Sequence, residues 1–506
     1  MNMANNKIQE EFIDYLKKIE NYNEAINVMY WDLRTGAPKN GAEQRSNVIS
    51  QLSAEVFEMT TSSTMENYLN LLEKEIGTGN LNEVIEKSVK ECRKNYDLNC
   101  KIPKNEYAEY VKLCSLSENA WEDAKNEGDF SKFQPYLEKI VAMKKQFIEY
   151  WGYKEKKYDT LLSFYEPGMT TGKLDEVFGK VRESLVPLVA KISKSQTRLI
   201  REELSQPISI EIQKEVSEDI LEKLGYNFDS GRLDETVHPF QITLNPGDVR
   251  VTTKYIEDNF MSALFGTIHE CGHALYEQNL SSNLIGTPLC EGASMGIHES
   301  QSLFFENMIG RSKEFWETQY ENLIAKTGDY FKNLSVEEFY KAINHSEPSL
   351  IRIEADECTY PLHIMVRYEI EKELFDGDLQ VKDLPKVWNE KMEEYLGVVP
   401  SNDREGVLQD VHWAGGDFGY FPSYALGAMY AAQFKNKMKQ DLIDYESILK
   451  SGEIHQIVNW LTLNIHQYGK LKEPKEILVD VTGEELNVKY FIEYLEDKYS
   501  KLYNLA

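Results

Sequence analysis

Histidine is absent from the first 237 residues of this 506-residue chain; all nine lie between positions 238 and 466. Any histidine chemistry therefore belongs to the second half, leaving the first half as wall, lid or scaffold. Cysteine is sparse as well. The six residues, at 92, 100, 114, 271, 290 and 358, form no C-x-x-C pair, which excludes a dense disulfide framework. The expected state is six free thiols in a reducing cytoplasm. No run of eighteen apolar residues occurs, so no segment reads as membrane-spanning. The stretch Met1 to Lys7 lacks the apolar core of a secretion signal. Positive charge is in deficit: the formal net charge is -28, and lysines are scattered among acids, as in Glu73-Lys74-Glu75. Such a chain repels nucleic acid, and its charges read as solvated helix faces.

Also missing are a Gly/Ser/Pro-rich linker and a repeat of fixed period. The reading is one mainly α domain over 1–506, with an all-helical wall or lid half (1–224) and a catalytic half (225–506). Apolar spacing predicts helices over 8–30, 42–59, 64–76, 80–100, 104–127, 131–152, 171–203 and 208–224. The texture changes at Gly225. Phe240 to Leu244 and Val249 to Thr253 alternate around Asn245-Pro246-Gly247, which predicts a short hairpin. Helices return from Asn259.

One of them, Asp258 to Gln278, carries His269-Glu270-Cys271-Gly272-His273. Histidines four apart share a helix face about 6 Å apart along the axis. Two such imidazoles can converge on one zinc ion. Glu270 stands beside that ion, where a carboxylate can accept a proton from an activated water. Cys271 faces the other way and reads as core. Gly266 and Gly272 weaken the helix unless a second backbone or a substrate packs there. A catalytic zinc needs a third protein ligand. Glu277, Glu291, His298 and Glu299 are the candidates; Glu299, on a second predicted helix over 297–309, is favoured, with His298 as its rival.

Six blocks in order make the chain resemble the thermostable Taq-type zinc metallocarboxypeptidases. They are His238-Pro239-Phe240, Asp248-Val249-Arg250-Val251-Thr252, the His269 to His273 motif, His298-Glu299-Ser300-Gln301, Ile351-Arg352-Ile353-Glu354-Ala355-Asp356, and Gly406-Val407-Leu408-Gln409-Asp410-Val411-His412-Trp413. The likeness extends to Trp31-Asp32, Tyr165-Glu166-Pro167-Gly168 and Gly419 to Tyr424, and so covers essentially the whole chain. It implies a large helical zincin body with a deep groove and a small sheet beside the active-site helix, a fold related to neurolysin and angiotensin-converting enzyme. It further implies a cytosolic homodimer that removes single residues from peptide C-termini with broad specificity. Carried over by position, His269, His273 and Glu299 hold Zn2+, with Co2+ able to substitute, and Glu270 is the base.

Around the metal, Arg352 is the candidate grip for a C-terminal carboxylate, unless it pairs with Glu354, Asp356 or Glu357. Arg250 is a second substrate-binding candidate, unless it pairs with Asp248. His238 is expected to line the cleft. His412 and Tyr424, with Tyr420 as rival to the latter, are expected to face the developing oxyanion, in the order seen in converting-enzyme relatives. Three other readings stand beside this one: an internally cutting oligopeptidase, a silent binding protein with a structural zinc, and an acidic helical scaffold.

Overall fold

A computed structural model describes residues 2–505. The fold is mainly α, with one three-stranded sheet among the described residues. The predicted helices of the first half are present, with two instructive differences. The helix expected over 171–203 stops at Lys194. Beyond it, Ser195 and Thr197 both donate side-chain hydrogen bonds to the carbonyl of Tyr503, at 3.2 Å each. Short hydroxyl side chains that find such partners draw the backbone out of a helix. The reverse occurs at Lys157–Tyr165, a helix that apolar spacing missed. Its first amides, Lys157 and Tyr158, donate to Asp376 at 2.7 and 3.4 Å, so the cap comes from 219 residues away.

The hairpin forms as β2 (Gln241–Asn245) antiparallel to β3 (Asp248–Thr253). Asn245 accepts a hydrogen bond from the Gly247 amide at 2.8 Å, closing the turn. A third strand, β1 (Leu233–Glu235), adds in parallel on the far side of β3. Three residues are too few for alternation to reveal. Val249, Val251, Thr252 and Thr253 are buried, and Thr253 hydrogen-bonds Thr267 of the helix that carries the histidine motif.

That motif helix runs Phe260–Gln278 and is capped by Asn259, which accepts from the Ser262 amide at 3.3 Å. It is apolar around most of its girth, and Cys271 lies fully in the core. A second helix, Met295–Leu303, here the ligand helix, lies between the motif helix and a third, Phe421–Asp441, the tyrosine helix. The sequence reading continued the ligand helix to 309. Instead it widens into a π turn over Phe304–Gly310.

Glycine sets both crossings. A Cβ on Gly272 would lie 2.5 Å from the carbonyl oxygen of Gln301 and 2.6 Å from the Ser302 Cα. A Cβ on Gly427 would lie 2.7 Å from the Glu299 side chain. Nothing lies within 4 Å of the same point on Gly266. The N-terminal helices keep a small apolar cluster of their own, built on Phe12, Leu16, Leu69 and Val89. They meet the sheet through Asn27, which donates to the Thr243 carbonyl at 3.0 Å, and through Trp31 against Phe240.

The two motif-helix glycines should therefore respond oppositely to alanine. Gly272→Ala forces backbone apart and should cost about 1–3 kcal/mol. Gly266→Ala should be neutral or gain up to about 1 kcal/mol. Denaturant unfolding of both variants checks this, and equal destabilisation would contradict the packing argument.

Candidate active site

The motif helix presents His269 and His273 on one face, and the ligand helix brings Glu299 to meet them. The Glu299 carboxylate lies 3.9 Å from His269 Nε2 and 3.6 Å from His273 Nε2. All three donor atoms fall within 4.8 Å of one another. Ligands about 2.0–2.1 Å from a tetrahedral ion stand roughly 3.4 Å apart, so the three donors fit a metal with little adjustment.

Each histidine is aimed by its other nitrogen. His269 Nδ1 lies 2.9 Å from Glu306 Oε2, and Arg311 donates to Glu306 Oε1 at 3.1 Å. Burial alone would raise the Glu306 carboxyl, but His269 and Arg311 outweigh it and hold the group down to about 2. An ionised carboxylate only accepts, so Nδ1 carries a proton and Nε2 is turned toward the cluster. Burial opposes a charge on the ring, but Glu299, Glu306 and Glu270 raise the His269 imidazole to about 10, and a metal ion would take the place of its Nε2 proton. The π turn is what carries Glu306.

His273 is aimed through a relay. Glu277 accepts from the Gly292 amide at 3.1 Å and from His298 Nε2 at 3.0 Å. The bare Nδ1 of His298 then accepts from His273 Nδ1 at 2.6 Å, which leaves His273 Nε2 free. Of the three alternatives to Glu299, Glu277 and His298 thus stand behind His273, and Glu291 is exposed and paired with Lys470 at 2.6 Å. Gln301, the last residue of that block, is bonded to buried His466 at 2.9 Å.

The metal side of the site is anionic. Burial, with Glu306 nearby, raises the Glu299 carboxyl against the pull of His269, His298 and Arg352. Burial, Glu299 and Glu306 likewise push the Glu270 carboxyl up to about 7, with His269 opposing. A cation placed among these carboxylates relieves their mutual repulsion.

A cationic group lies near enough to act on Glu299. Arg352 is buried and donates to Asp410 through Nε at 3.0 Å and through a terminal nitrogen at 2.9 Å. Its other terminal nitrogen donates to the Tyr360 hydroxyl at 2.8 Å. Arg367, fully buried, donates to the same Asp410 at 2.6 Å. Two guanidiniums thus share one carboxylate. None of the near neighbours Glu354, Asp356 or Glu357 takes the pairing that the sequence offered. The Arg352 guanidinium lies 5.1 Å from the Tyr424 ring centre and 5.7 Å from that of Phe421.

His412 lies against Phe421, ring centres 4.5 Å apart, with its Nε2 3.4 Å from the Tyr424 hydroxyl. Burial, helped by Arg352 and Arg367, holds the imidazole down to about 4 against the pull of Asp410, so it is neutral at neutral pH. Tyr420 and Tyr424 pack edge to face at 5.0 Å, and both feel the charge of Glu299.

Two sequence candidates stand apart. Arg250 is held in a two-point pair by Asp248, at 2.8 and 2.6 Å, and lines a separate cavity of about 750 Å³ with Trp31, Arg45 and Arg232. His238 is exposed in the loop between β1 and β2 and takes no part in the network above. Sequence reasoning gave no role to Glu306, Tyr360, Arg367 or Asp410. Asp410 alone carried a signal, as a member of one of the quoted blocks.

The sequence pattern of the family described as "Carboxypeptidase Taq (M32) metallopeptidase" matches residues 11–499. The chain belongs to this family. Carboxypeptidase 1 of Bacillus subtilis is 54% identical over 497 residues, covering 98% of this chain and 99% of its own. Thermostable carboxypeptidase 1 of Thermus thermophilus is 40% identical over 94% of each chain. The crystal structure of an M32 carboxypeptidase from Deinococcus radiodurans superposes with a TM-score of 0.94, at 31% identity, covering 99% of this chain and 100% of that one. The protein is a metallocarboxypeptidase that acts on peptides and works with a divalent metal ion. Among the described residues, no helix is long and apolar enough to cross a membrane.

The relay behind His273 is open to a direct check. His298→Ala removes the acceptor that orients His273 and should weaken metal binding about 10–100-fold. Competition with a chelator, read alongside unaltered helical circular dichroism, measures it; wild-type affinity would remove His298 from the relay.

Proposed function

We propose that this metallocarboxypeptidase holds one zinc ion through His269, His273 and Glu299, with cobalt able to substitute, and trims single residues of broad identity from free C-termini. A zinc ion so held supplies Lewis acidity toward the scissile carbonyl and acidifies water. Glu270, one position from a ligand and set among buried carboxylates, takes the proton from the attacking water and passes it to the leaving amine. His412, neutral and therefore able to donate, and Tyr424 hydrogen-bond the oxyanion as it develops, with Tyr420 supporting Tyr424. Arg352 grips the terminal carboxylate of the substrate.

The observation that carries this reading is the uncompensated charge at Arg352. Two arginines against one aspartate leave a net positive charge beside the aromatic wall, and Arg352 is near enough to ease the charge on Glu299. Arg352 has five N–H donors, of which Asp410 and Tyr360 engage three. A carboxylate anion meets both needs. An internally cutting peptidase has no use for such a group beside its metal. Arg250 and His238 serve more distant parts of the substrate in this reading. The protein acts as a cytoplasmic homodimer, each chain working as one catalytic unit.

Glu270→Gln should keep the metal and lose turnover by at least about 10³-fold, whereas normal turnover would sink the mechanism. Arg352→Met should lower kcat/KM for free-acid peptides on the order of 10²-fold. Peptides ending in an amide should resist the wild-type enzyme, and mass spectrometry of digests over time distinguishes stepwise release from internal cutting.

A further inference from the structure

The segment from His412 to Tyr420 carries two rings that pack with Tyr424, and the second of them is near enough to feel the charge of Glu299, yet the segment is mostly irregular. Only the single turn His412–Gly415 is helical before the tyrosine helix begins at Phe421. Such a segment needs something to hold it, and two of the points where it is held, one near each end, converge on one group. Trp413, beside His412, donates its indole N–H to Glu371 Oε1 at 2.7 Å. Gly419, beside Tyr420, donates its amide to Glu371 Oε2 at 2.8 Å. The third donor is outside the segment: the Tyr158 hydroxyl reaches Oε2 at 2.6 Å.

Glu371 is fully buried on the helix Tyr360–Asp376 and is paired with no cation among the described residues. A buried carboxylate is costly unless its lone pairs are met. Neutral donors meet them here, and two of the three are the chain neighbours of His412 and Tyr420. A fold needing only an apolar contact at this place would not bury an ionisable group.

We propose that Glu371 is a positioning residue that clasps both ends of the 412–420 segment and so fixes where His412 and Tyr420 point, an inference that rests on the oxyanion role given to His412 above. Glu371 does not touch substrate. Its effect passes through Trp413 and Gly419, each covalently next to a wall residue. Its loss should therefore act on the transition state more than on substrate or metal binding.

The test is steady-state kinetics on the full-length, metal-loaded Glu371→Gln and Trp413→Phe variants, with affinity for a phosphinic peptide as a tetrahedral mimic. Glutamine has one oxygen where glutamate has two, so one of the two fixed N–H donors faces an NH2. Trp413→Phe removes the other partner and keeps the proposal testable if Glu371→Gln does not fold. Expected are a kcat about 10–100-fold lower and a matching loss of phosphinic-peptide affinity, since small displacements of reacting groups cost this much. KM and metal content should stay within about twofold. Tyr158→Phe, which removes only the donor outside the segment, should keep kcat within about threefold. Wild-type kcat in the foldable variants, with lowered unfolding temperature alone, would overturn the proposal. His412→Ala tells the two ideas apart. If it is impaired while Glu371→Gln and Trp413→Phe are not, only this inference fails; if it turns over normally, the oxyanion reading fails and takes the inference with it.

Discussion

Everything at the metal end of the site depends on backbone contact between two helices at Gly272. The Gln301 and Ser302 backbone of the ligand helix occupies the space where any other residue would carry a side chain. Only at that separation does Glu299 reach both His269 and His273 within 4 Å. The tyrosine helix closes from the other side over Gly427, against the Glu299 side chain. Glu166 then fixes the start of the ligand helix, accepting from the Gly296 amide at 3.1 Å and from Tyr430 of the tyrosine helix at 2.8 Å. A ligand set supplied by two helices is only as well placed as their crossing, and this crossing leaves no slack.

How much of this the sequence disclosed follows the range of the interactions involved. The histidine pair was legible because four residues on a helix is a local geometry. The hairpin was legible for a similar reason, its alternation being visible within a dozen residues. Glu299 was the favoured third donor, and of its three alternatives Glu277 and His298 are groups behind His273, while Glu291 pairs with Lys470 at the surface. What stayed hidden was set by distant partners. The Lys157–Tyr165 helix takes its cap from Asp376. Arg352 ignores three acids within five residues and pairs with Asp410, 58 positions away. Glu306 was lost for another reason: a π turn puts it where regular helical counting does not look. The family resemblance reached further than spacing because it carried such long-range facts implicitly. Glu166 and Asp410 both sit in blocks noted only as likenesses, and both hold the site together.

The buried acids divide by what satisfies them. Glu306 and Asp410 are paired with cations and held well below the ordinary carboxylate range despite burial. Glu166 and Glu371 are met by neutral donors, and burial pushes each up to about 7. The first kind tunes charge: one completes a histidine for metal binding, the other leaves an arginine in excess. The second kind adds little charge to the site and instead ties separate chain segments to one point. A carboxylate suits that task, because two oxygens with several lone pairs can take donors from three directions.

The charge pattern also bears on why the anchor must be local. The chain as a whole carries -28, so a peptide ending in a carboxylate approaches an unfavourable surface. Salt screens that repulsion beyond about 8–10 Å, which removes the penalty at distance without creating any attraction. Attraction must come from groups desolvated within the site, where interactions are screened least. In the proposed reading the Arg352, Arg367 and Asp410 triad provides this, near the anionic cluster that could hold a metal ion. On that reading a peptide end would turn its carboxylate toward the arginines and its last peptide carbonyl toward the metal. A chain continuing past the cleaved bond offers no charge to the arginine and must leave it buried and unmet. On the proposed role of Arg352, the preference for chain ends then follows from a buried charge that only an end can satisfy.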